Sequence, residues 1–443
     1  MDNTIDTRPT KSFFVDMLTR DISVTAAILD LCDNALGRTF DLADIEPSEY
    51  IIEGDTGRKR LKRFFLHLDV SASRITIKDN CGGISQKDAH DEIFRLGRQI
   101  SEPTEAGLSV YGIGMKRAFF KLGDHVSMGS SPNGQWWEVD FKVSDWKKQG
   151  DDDWTLQFKK IGSNNRPATI PQKGTVIDLR DLRTGTKALL ETKTFTNDLR
   201  HRLQSAYSLF TGYGLDLRLN KVPVENVLPE LTSDPLPPAR KSFKAGKVSV
   251  VIVVGLTPKT AQTGSAGSGW FVYCNGRLVV EADKSRLTGW GEGLQQWHSK
   301  FNRFVGFVFF DSKDGYALPW TTTKQGLVED SEIFLRTRQE MLVQARPVLD
   351  FLTRLYPADI PEEGVHERVL LESAGRMPLA SIQKTDRAFV APRSRSKKGE
   401  LVNIQYKKSV VKVDMVRSKL GRWLSASEVG SRTFDHFIKT ECE

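Results

Sequence analysis

Two polar side chains, Asp30 and Asn34, stand four residues apart near the start of the chain. Residues with this spacing share one face of a helix. A carboxylate can orient and deprotonate a water molecule, and an amide oxygen one turn further on can ligate a hard cation such as Mg²⁺. Taken alone, the pair fits a polar helix edge that faces solvent better than a catalytic pair.

A second motif, KDNCGGI at residues 78–84, follows a strand-like segment. An aspartate that leaves a strand into a glycine turn, such as Asp79, can accept a hydrogen bond from an exocyclic amine. Glycines such as Gly83 let a flat base approach the backbone closely. An ordinary Asp-Asn turn is the alternative interpretation.

A third motif, YGIGMK at residues 111–116, is a glycine-rich loop that opens a helix. Backbone N–H groups at the start of a helix bind phosphate, and Lys116 adds positive charge. The loop, with Gly112 and Gly114, is weak evidence alone and matches neither the Walker A nor the Rossmann pattern.

The elements that would position these motifs follow from hydrophobic periodicity. A helix is predicted over residues 13–36, because apolar residues recur with helical spacing, and alternation predicts two paired strands after it. The full set of predictions for this region is helices at 13–36, 88–96 and 116–122, strands at 63–70, 74–78, 136–143, 154–159 and 175–179, and a loop at 97–114. Alternating helices and strands with long loops favour a layered α/β arrangement.

In this order and spacing, the three motifs resemble the N, G1 and G2 boxes of the GHKL ATPases. Asn34 precedes Asp79 by about 45 residues, and Gly112 follows after about 33 more. Thr175, in a Gly-Thr pair before a strand, resembles the family's fourth, G3-like motif. The resemblance implies a Bergerat-type α/β sandwich that binds ATP and Mg²⁺, and a 97–114 loop that acts as a nucleotide lid.

The same resemblance implies a role for each matching residue. Asp79 would accept the adenine amine, Asn34 would ligate Mg²⁺, and Asp30 would be the catalytic base. Two positions depart from the family pattern: Asp30 stands where a glutamate is usual, and Cys81 replaces the first G1 glycine. We therefore expect slow hydrolysis, with a nucleotide switch that hardly turns over as the alternative.

The resemblance continues into a second region and covers about residues 10–335. FVYCNGR at 271–277 resembles the "VNGR" strand and turn of the MutL and MORC transducer domain. Lys324, within TTTKQ, occupies the place of a lysine that reaches the terminal phosphate in those proteins, a role that suits a compact and mobile charge. A surface hairpin and an ordinary lysine are the alternative interpretation.

The predicted fold class is α+β, with four parts. They are the ATPase domain (10–195), a transducer-like α/β domain (196–335), a helical segment with a linker (336–398), and a small, helical, basic C-terminal module (399–443). In the second and third parts we predict helices at 197–211 and 331–356 and strands at 249–256, 269–273 and 303–310.

The positive charge of the chain is concentrated at its end. The net charge is +8, and the residues from Arg376 onward carry 15 Lys and Arg against 7 Asp and Glu. A strand at 402–407 and helices at 410–419 and 429–439 resemble a ribbon-helix-helix domain, which implies that Asn403, Gln405 and Lys407 face DNA bases. A solubilising tail, or a two-helix dimerisation or partner-docking element, also fits the pattern.

Several functional classes are disfavoured. The longest largely apolar stretch, Val248 to Leu256, has nine residues including one serine, too few to cross a bilayer. No signal peptide is recognised, so a soluble, cytoplasmic protein without membrane contact is expected. Scattered histidines disfavour a two-component kinase, and a topoisomerase is disfavoured because no acidic DNA-cleavage domain is recognised. We expect an ATP-gated homodimer that acts on or near DNA. The alternative is a chaperone-like or signalling switch whose tail binds a protein partner.

Overall fold

The chain forms two compact units, residues 1–392 and 393–443, which are described separately. The computed structural model describes residues 10–45, 60–95, 108, 112–150, 152–226, 228–258, 267–356, 365–392, 404, 407–421 and 424–442. Both helices and sheets are present, and the predicted α+β class is confirmed. None of the helices in these ranges is long and apolar enough to cross a membrane.

The first unit contains eleven α-helices, four short 3₁₀ helices and fifteen strands within the described ranges. The helices are α1 (Lys11–Arg20), α2 (Val24–Leu36), α3 (Thr39–Ala43), α4 (Gln86–Asp88, continued by a π turn, Ala89–Ile93), α5 (Gly114–Leu122), α6 (Val143–Lys148), α7 (Thr184–Leu190), α8 (Lys193–Ala206), α9 (Ser208–Gly212), α10 (Glu332–Leu355) and α11 (Val365–Ser373). The strands are β1 (Phe65–Ser71), β2 (Arg74–Asp79), β3 (Gly123–Ser131), β4 (Trp136–Lys142), β5 (Phe158–Gly162), β6 (Gly174–Leu182), β7 (Asp216–Leu219), β8 (Val222–Pro223), β9 (Leu231–Thr232), β10 (Ala239–Ala245), β11 (Val248–Leu256), β12 (Gly269–Cys274), β13 (Arg277–Asp283), β14 (Phe304–Asp311) and β15 (Arg376–Met377).

The first sheet has eight strands in the order β5-β4-β3-β6-β2-β1-β7-β8. Its neighbours pair antiparallel except β1 and β7, which run parallel. Ile75 and Ile77 alternate into the core from β2, as a half-buried strand requires. Helices α2 and α5 pack against each other and contact strands of this sheet. These two layers position the first and third motifs.

The predicted continuous helix over residues 13–36 is wrong, because the structure breaks it into α1 and α2. Ser23 caps the second helix, and its hydroxyl accepts a hydrogen bond from the Ala26 N–H at 3.1 Å. The extended backbone of Ser23 is typical of a residue that starts a helix and cannot continue one. Helix α2 therefore begins at Val24, two turns before Asp30.

The second sheet has five strands in the order β10-β11-β14-β12-β13. Strand β11 is buried along almost its whole length, which explains its largely apolar sequence, with the polar Ser249 at the half-buried position. The 271–277 motif forms the β12–β13 hairpin, whose turn has left-handed backbone at Asn275 and Gly276. The Asn275 amide exchanges two hydrogen bonds with the backbone of Ser312, which fixes this turn and the start of β13.

Other predicted elements are shifted. The bounds of the strand predicted at 154–159 are wrong, because β5 starts at Phe158 and the preceding residues are irregular. The helix predicted at 197–211 starts earlier and divides at Tyr207, whose side chain is fully buried. The helix predicted at 88–96 is a single turn with a π turn after it. Pro347 does not interrupt α10, so the prediction at 331–356 is confirmed to within a residue.

The C-terminal unit contains two helices, α12 (Val410–Leu420) and α13 (Ala426–Phe437), close to their predicted positions. Ser425 and Glu428 form a reciprocal capping box at the start of α13. Among the residues of this unit that the structure describes, Leu424 and Val429 are the buried ones. The predicted strand at 402–407 lies almost entirely outside the described residues.

Candidate functional site

A cavity of about 1560 Å³ is lined by residues of α2, β2, α5 and β6. Ligand pockets commonly measure roughly 300–1,000 Å³, so a nucleotide fits with space to spare. Six of the residues selected from the sequence line it: Asn34, Asp79, Gly83, Gly112, Lys116 and Thr175.

Asp79 is a buried acceptor at one end of the cavity. Its Oδ1 accepts a hydrogen bond from the Cys81 N–H at 2.9 Å. Burial raises the pKa of the Asp79 carboxyl to about 7, although backbone hydrogen bonds from Cys81 and Thr175 act in the opposite direction. No cation contributes to the pKa of Asp79 among the described residues. A buried carboxyl in such a setting is suited to a neutral donor such as an exocyclic amine.

Close backbone packing explains two glycines around Asp79. An added Cβ at Gly174 would lie 1.9 Å from the Asp79 carbonyl oxygen, and one at Gly83 would lie 2.7 Å from the Ser131 carbonyl oxygen. Gly83 also has a φ of +71°, which glycine adopts readily. The left-handed backbone of this turn lies at Gly82 and Gly83, so the side chain of Cys81 is accommodated where the family has a glycine.

Asn34 lines the cavity and carries an unsatisfied side-chain amide. Its Nδ2 is buried and has no hydrogen-bond partner among the described residues. An orphaned buried donor is uncommon in proteins and suits a phosphate oxygen, while the amide oxygen suits Mg²⁺. No cluster of three or more His, Cys, Asp or Glu that could hold a metal occurs in the described ranges. Mg²⁺ commonly binds through one or two protein oxygens together with nucleotide phosphates and water, so the site fits the ion.

The glycine loop ends where α5 begins. Gly112 has left-handed backbone, and Gly114 is the first residue of α5. The Lys116 ammonium donates to the Ile93 carbonyl at 2.8 Å, which ties α5 to the π turn. Most of the predicted 97–114 lid lies outside the described residues.

Asp30 does not line the cavity but lies directly behind the glycine loop. An added Cβ at Gly114 would come within 3.4 Å of the Asp30 Cγ. Arg117 donates to Asp30 Oδ2 from Nη2 at 2.6 Å and from Nε at 3.1 Å. Burial raises the pKa of Asp30, and the nearby cations Lys324 and Arg117 only partly offset it. A raised pKa moves a carboxyl toward the range that general bases use.

Asp33 lies one turn of α2 after Asp30. Its carboxylate connects α2 to β13 and to the turn that contains Lys324. Its Oδ1 accepts from Arg277 Nε at 3.0 Å and from the Tyr207 hydroxyl at 2.8 Å, and its Oδ2 accepts from Lys324 Nζ at 2.9 Å. Burial would raise the pKa of Asp33, yet Lys324 and Arg277 hold it below its ordinary value. Lys324, which the sequence placed at a phosphate, therefore contacts a carboxylate in this conformation.

Together these residues form a buried charge cluster with more positive than negative charge. It contains three cations and two carboxylates, all at most about 6% exposed: Arg117, Arg277, Lys324, Asp30 and Asp33. A buried surplus charge is unfavourable, so the cluster favours an added anion.

Four members of this network have no predicted role: Asp33, Arg117, Tyr207 and Arg277. Asp33 belongs to the first motif, and its spacing from Asp30 was a usable signal, because residues three apart also share a helix face. Arg117 follows Lys116 directly, but a helix start with two adjacent basic residues does not tell which one points inward. Tyr207 carried no signal in the sequence.

The DNA-facing residues predicted in the C-terminal unit are only partly described. Lys407 is exposed, as are Lys408 and Lys412. Asn403 and Gln405 lie outside the described residues.

Comparison with known families agrees with the geometry of the cavity. Residues 22–166 match the family described as histidine kinase-, DNA gyrase B- and HSP90-like ATPase. This stretch is therefore a GHKL-type ATPase domain, and its family supports ATP binding in the cavity. No match to the chain is found among curated proteins.

Proposed function

We propose that the protein hydrolyses ATP slowly, with Asp30 as the general base and Asn34 as the protein ligand of Mg²⁺. The cavity supports the nucleotide-binding part of this proposal, because the buried carboxyl of Asp79 and the unsatisfied amide of Asn34 belong to residues that line the same space. The raised pKa of Asp30, which lies against Gly114 of the glycine loop, supports its role as the base. Mg²⁺ bound there would neutralise phosphate charge. Asp79 would bind the adenine amine, and the first N–H groups of α5 would bind phosphate.

In this proposal, Lys324 senses the terminal phosphate. The surplus positive charge of the buried cluster supports such a role, since ATP brings an anion to the loop that covers Asp30. Lys324 belongs to the second region, so its movement would report nucleotide state to that region. ATP would thereby favour an N-terminal homodimer, and hydrolysis would release it.

We further propose that the dimer acts on or near DNA through residues 399–443, in genome maintenance or phage defence. Residues 393–443 carry 12 Lys and Arg against 6 Asp and Glu, of which residues 399–443 contribute 8 against 6. This excess of positive charge supports DNA contact, because phosphate contacts supply most non-specific DNA affinity. The second candidate is a chaperone-like or signalling switch whose tail docks on a protein. The exposed apolar side chains of α12 and α13, such as Met415 and Phe437, favour that alternative.

Sedimentation of the full chain tests the ATP gate. We expect a monomer with ADP and a dimer with Mg²⁺ and the β,γ-imido analogue of ATP, and Asp30→Asn with ATP should remain dimeric. A sedimentation coefficient that is the same with both nucleotides would overturn the gated dimer, whatever the hydrolysis rate. Duplex DNA added at two salt concentrations then separates the two candidates for the tail.

A further inference from the structure

Among the described residues, the Asp33 carboxylate has three side-chain hydrogen-bond partners, and they are not equivalent. Arg277 and the Tyr207 hydroxyl both bind Oδ1, whereas Lys324 is the partner on Oδ2. If Lys324 moves away, the carboxylate keeps a buried cation and a hydroxyl. Asp30, by contrast, receives its charged hydrogen bonds from Arg117 alone among the described residues. Arg277 is held in place independently of Asp33, because it also donates to the Leu278 carbonyl and stacks over the Tyr207 ring. The Lys324 ammonium has Asp33 as its hydrogen-bond acceptor among the described residues, so Lys324 is the more easily released of the two cations on Asp33.

The backbone around Lys324 forms a constrained turn. Lys324 has a φ of +52°, a left-handed conformation that lysine rarely adopts. It lies in a tight turn in which Thr321 accepts a hydrogen bond from the Lys324 N–H and donates its own N–H to Gly326. Arg117 Nη2 lies 3.5 Å from the Thr322 carbonyl, so this turn also contacts the helix that starts at the glycine loop.

We propose that Asp33 is a positioning residue that stores Lys324 in the nucleotide-free protein and competes with the terminal phosphate of ATP for it. The inference rests on the proposed role of Lys324 as the phosphate sensor. With ADP, both Lys324 and Arg277 stay on Asp33 and connect the second region to α2 through two cations. With ATP, Arg277 alone keeps that connection. Asp33 therefore sets how strongly the protein prefers ATP to ADP.

The test measures that preference directly, as the ratio of affinities for the β,γ-imido analogue of ATP and for ADP, both with Mg²⁺, by calorimetry on the full chain. The double variant Asp33→Asn/Arg277→Gln removes one buried anion and one buried cation, so the net charge of the cluster is unchanged. Lys324 then no longer has to break an ion pair with Asp33 in order to reach the phosphate. We therefore expect the ratio of the affinity for the ATP analogue to the affinity for ADP to rise about tenfold. Adding Lys324→Met to the double variant should abolish the rise.

A second variant predicts the opposite sign. Arg277→Gln alone leaves Lys324 as the sole cation on Asp33, so Lys324 should be held more tightly and the ratio should fall. This variant keeps the proposal falsifiable if the double variant does not fold. As a matched control, Asp216→Asn/Arg218→Gln neutralises a half-exposed pair on β7 and should leave the ratio unchanged.

The outcomes separate the two levels of the proposal. If Lys324→Met alone leaves the ratio unchanged, Lys324 does not sense the phosphate, and the proposed function loses its sensor together with this inference. If Lys324→Met lowers the ratio but neither Asp33 nor Arg277 variants move it, Lys324 is the sensor and Asp33 does not store it. A rise in the double variant that persists without Lys324 also overturns the storage role.

Discussion

The nucleotide cavity and the C-terminal unit concentrate functional residues in opposite ways. In the first unit, charged residues from α2, α5, β13 and the turn at Lys324 are buried together and neutralise one another in part. In residues 393–443, the described lysines and most apolar side chains are exposed. A buried site changes the chemistry of each group through its neighbours, so each substitution should have a specific effect. An exposed basic unit acts through summed charge, so its substitutions should have graded effects.

The largest effect should come from removing the proposed base. Asp30→Asn should lower kcat by about 10²–10⁴-fold, because general-base catalysis contributes factors of this size. ATP affinity should change less than about threefold, since Asp30 does not line the cavity. Steady-state phosphate release and calorimetry measure the two quantities. Turnover at the rate of the unaltered protein would assign the base to another group.

The next effect concerns pH and has a definite sign. The pKa of Asp79 is raised to about 7 in the folded protein, from an ordinary value of 3.8. The protonated carboxyl therefore contributes stability that is fully present below about pH 4 and is lost as pH rises to about 7. At about 1.4 kcal/mol per pKa unit, the loss is at most about 4 kcal/mol.

Asp79→Asn removes this titration and keeps an acceptor for the Cys81 N–H. We expect the variant to be more stable than the unaltered protein at pH 8, and the two to converge toward pH 4. Urea unfolding between pH 4 and pH 8 measures the difference. A stability difference that does not vary with pH would contradict the raised pKa.

A smaller effect is expected on binding. Asp79→Asn should lower the affinity for ATP by about 100-fold. The amide can turn its NH₂ toward the adenine amine, so a donor faces a donor, and the hydrogen bond from the amine to the carboxylate is lost. Asp69→Asn, an exposed position on the neighbouring strand β1, is the control and should bind ATP normally. Unchanged affinity in Asp79→Asn would place adenine elsewhere in the cavity.

Six residues that line the cavity could be selected from the sequence because each motif combines an element boundary with a chemical group. Asp79 ends a strand, Gly114 starts a helix, and Asn34 lies four residues after Asp30, so local rules specify where each side chain points. The α+β class could be predicted because segments with the hydrophobic period of a helix alternate along the chain with segments that have the period of a strand.

The charge cluster could not be predicted in the same way. Asp33 meets Arg277 and Lys324 across more than 240 residues of sequence, and such a contact depends on how two sheets pack. The break between α1 and α2 was missed because the apolar stripe continues through it, while the Ser23 cap competes with that stripe locally. Tertiary contacts and capping decided these features.

Deletion of the C-terminal unit should separate the two regions. The chain without residues 399–443 should bind ATP with unchanged affinity, because every cavity residue precedes that segment. Its affinity for duplex DNA should fall at least about tenfold at low salt, where phosphate contacts are strongest. Fluorescence anisotropy at one fixed salt concentration measures it. Equal DNA affinity with and without the unit would favour a protein-docking role for the tail.

The smallest effect, and the most direct test of graded charge, comes from replacing Lys407, Lys408 and Lys412 with glutamine. All three are exposed, so the substitutions should not disturb the fold. Each phosphate contact that is lost should reduce the slope of log affinity against log salt by about 0.9, so the triple variant should lose at most about 3 from that slope. Single variants should each account for about a third of the change, because exposed charges that contact separate phosphates act nearly additively. Anisotropy titrations between low and physiological salt give the slopes. If one lysine alone carries the whole effect, the unit binds DNA through a structured contact, and the contrast between a specific cavity and a graded tail no longer holds.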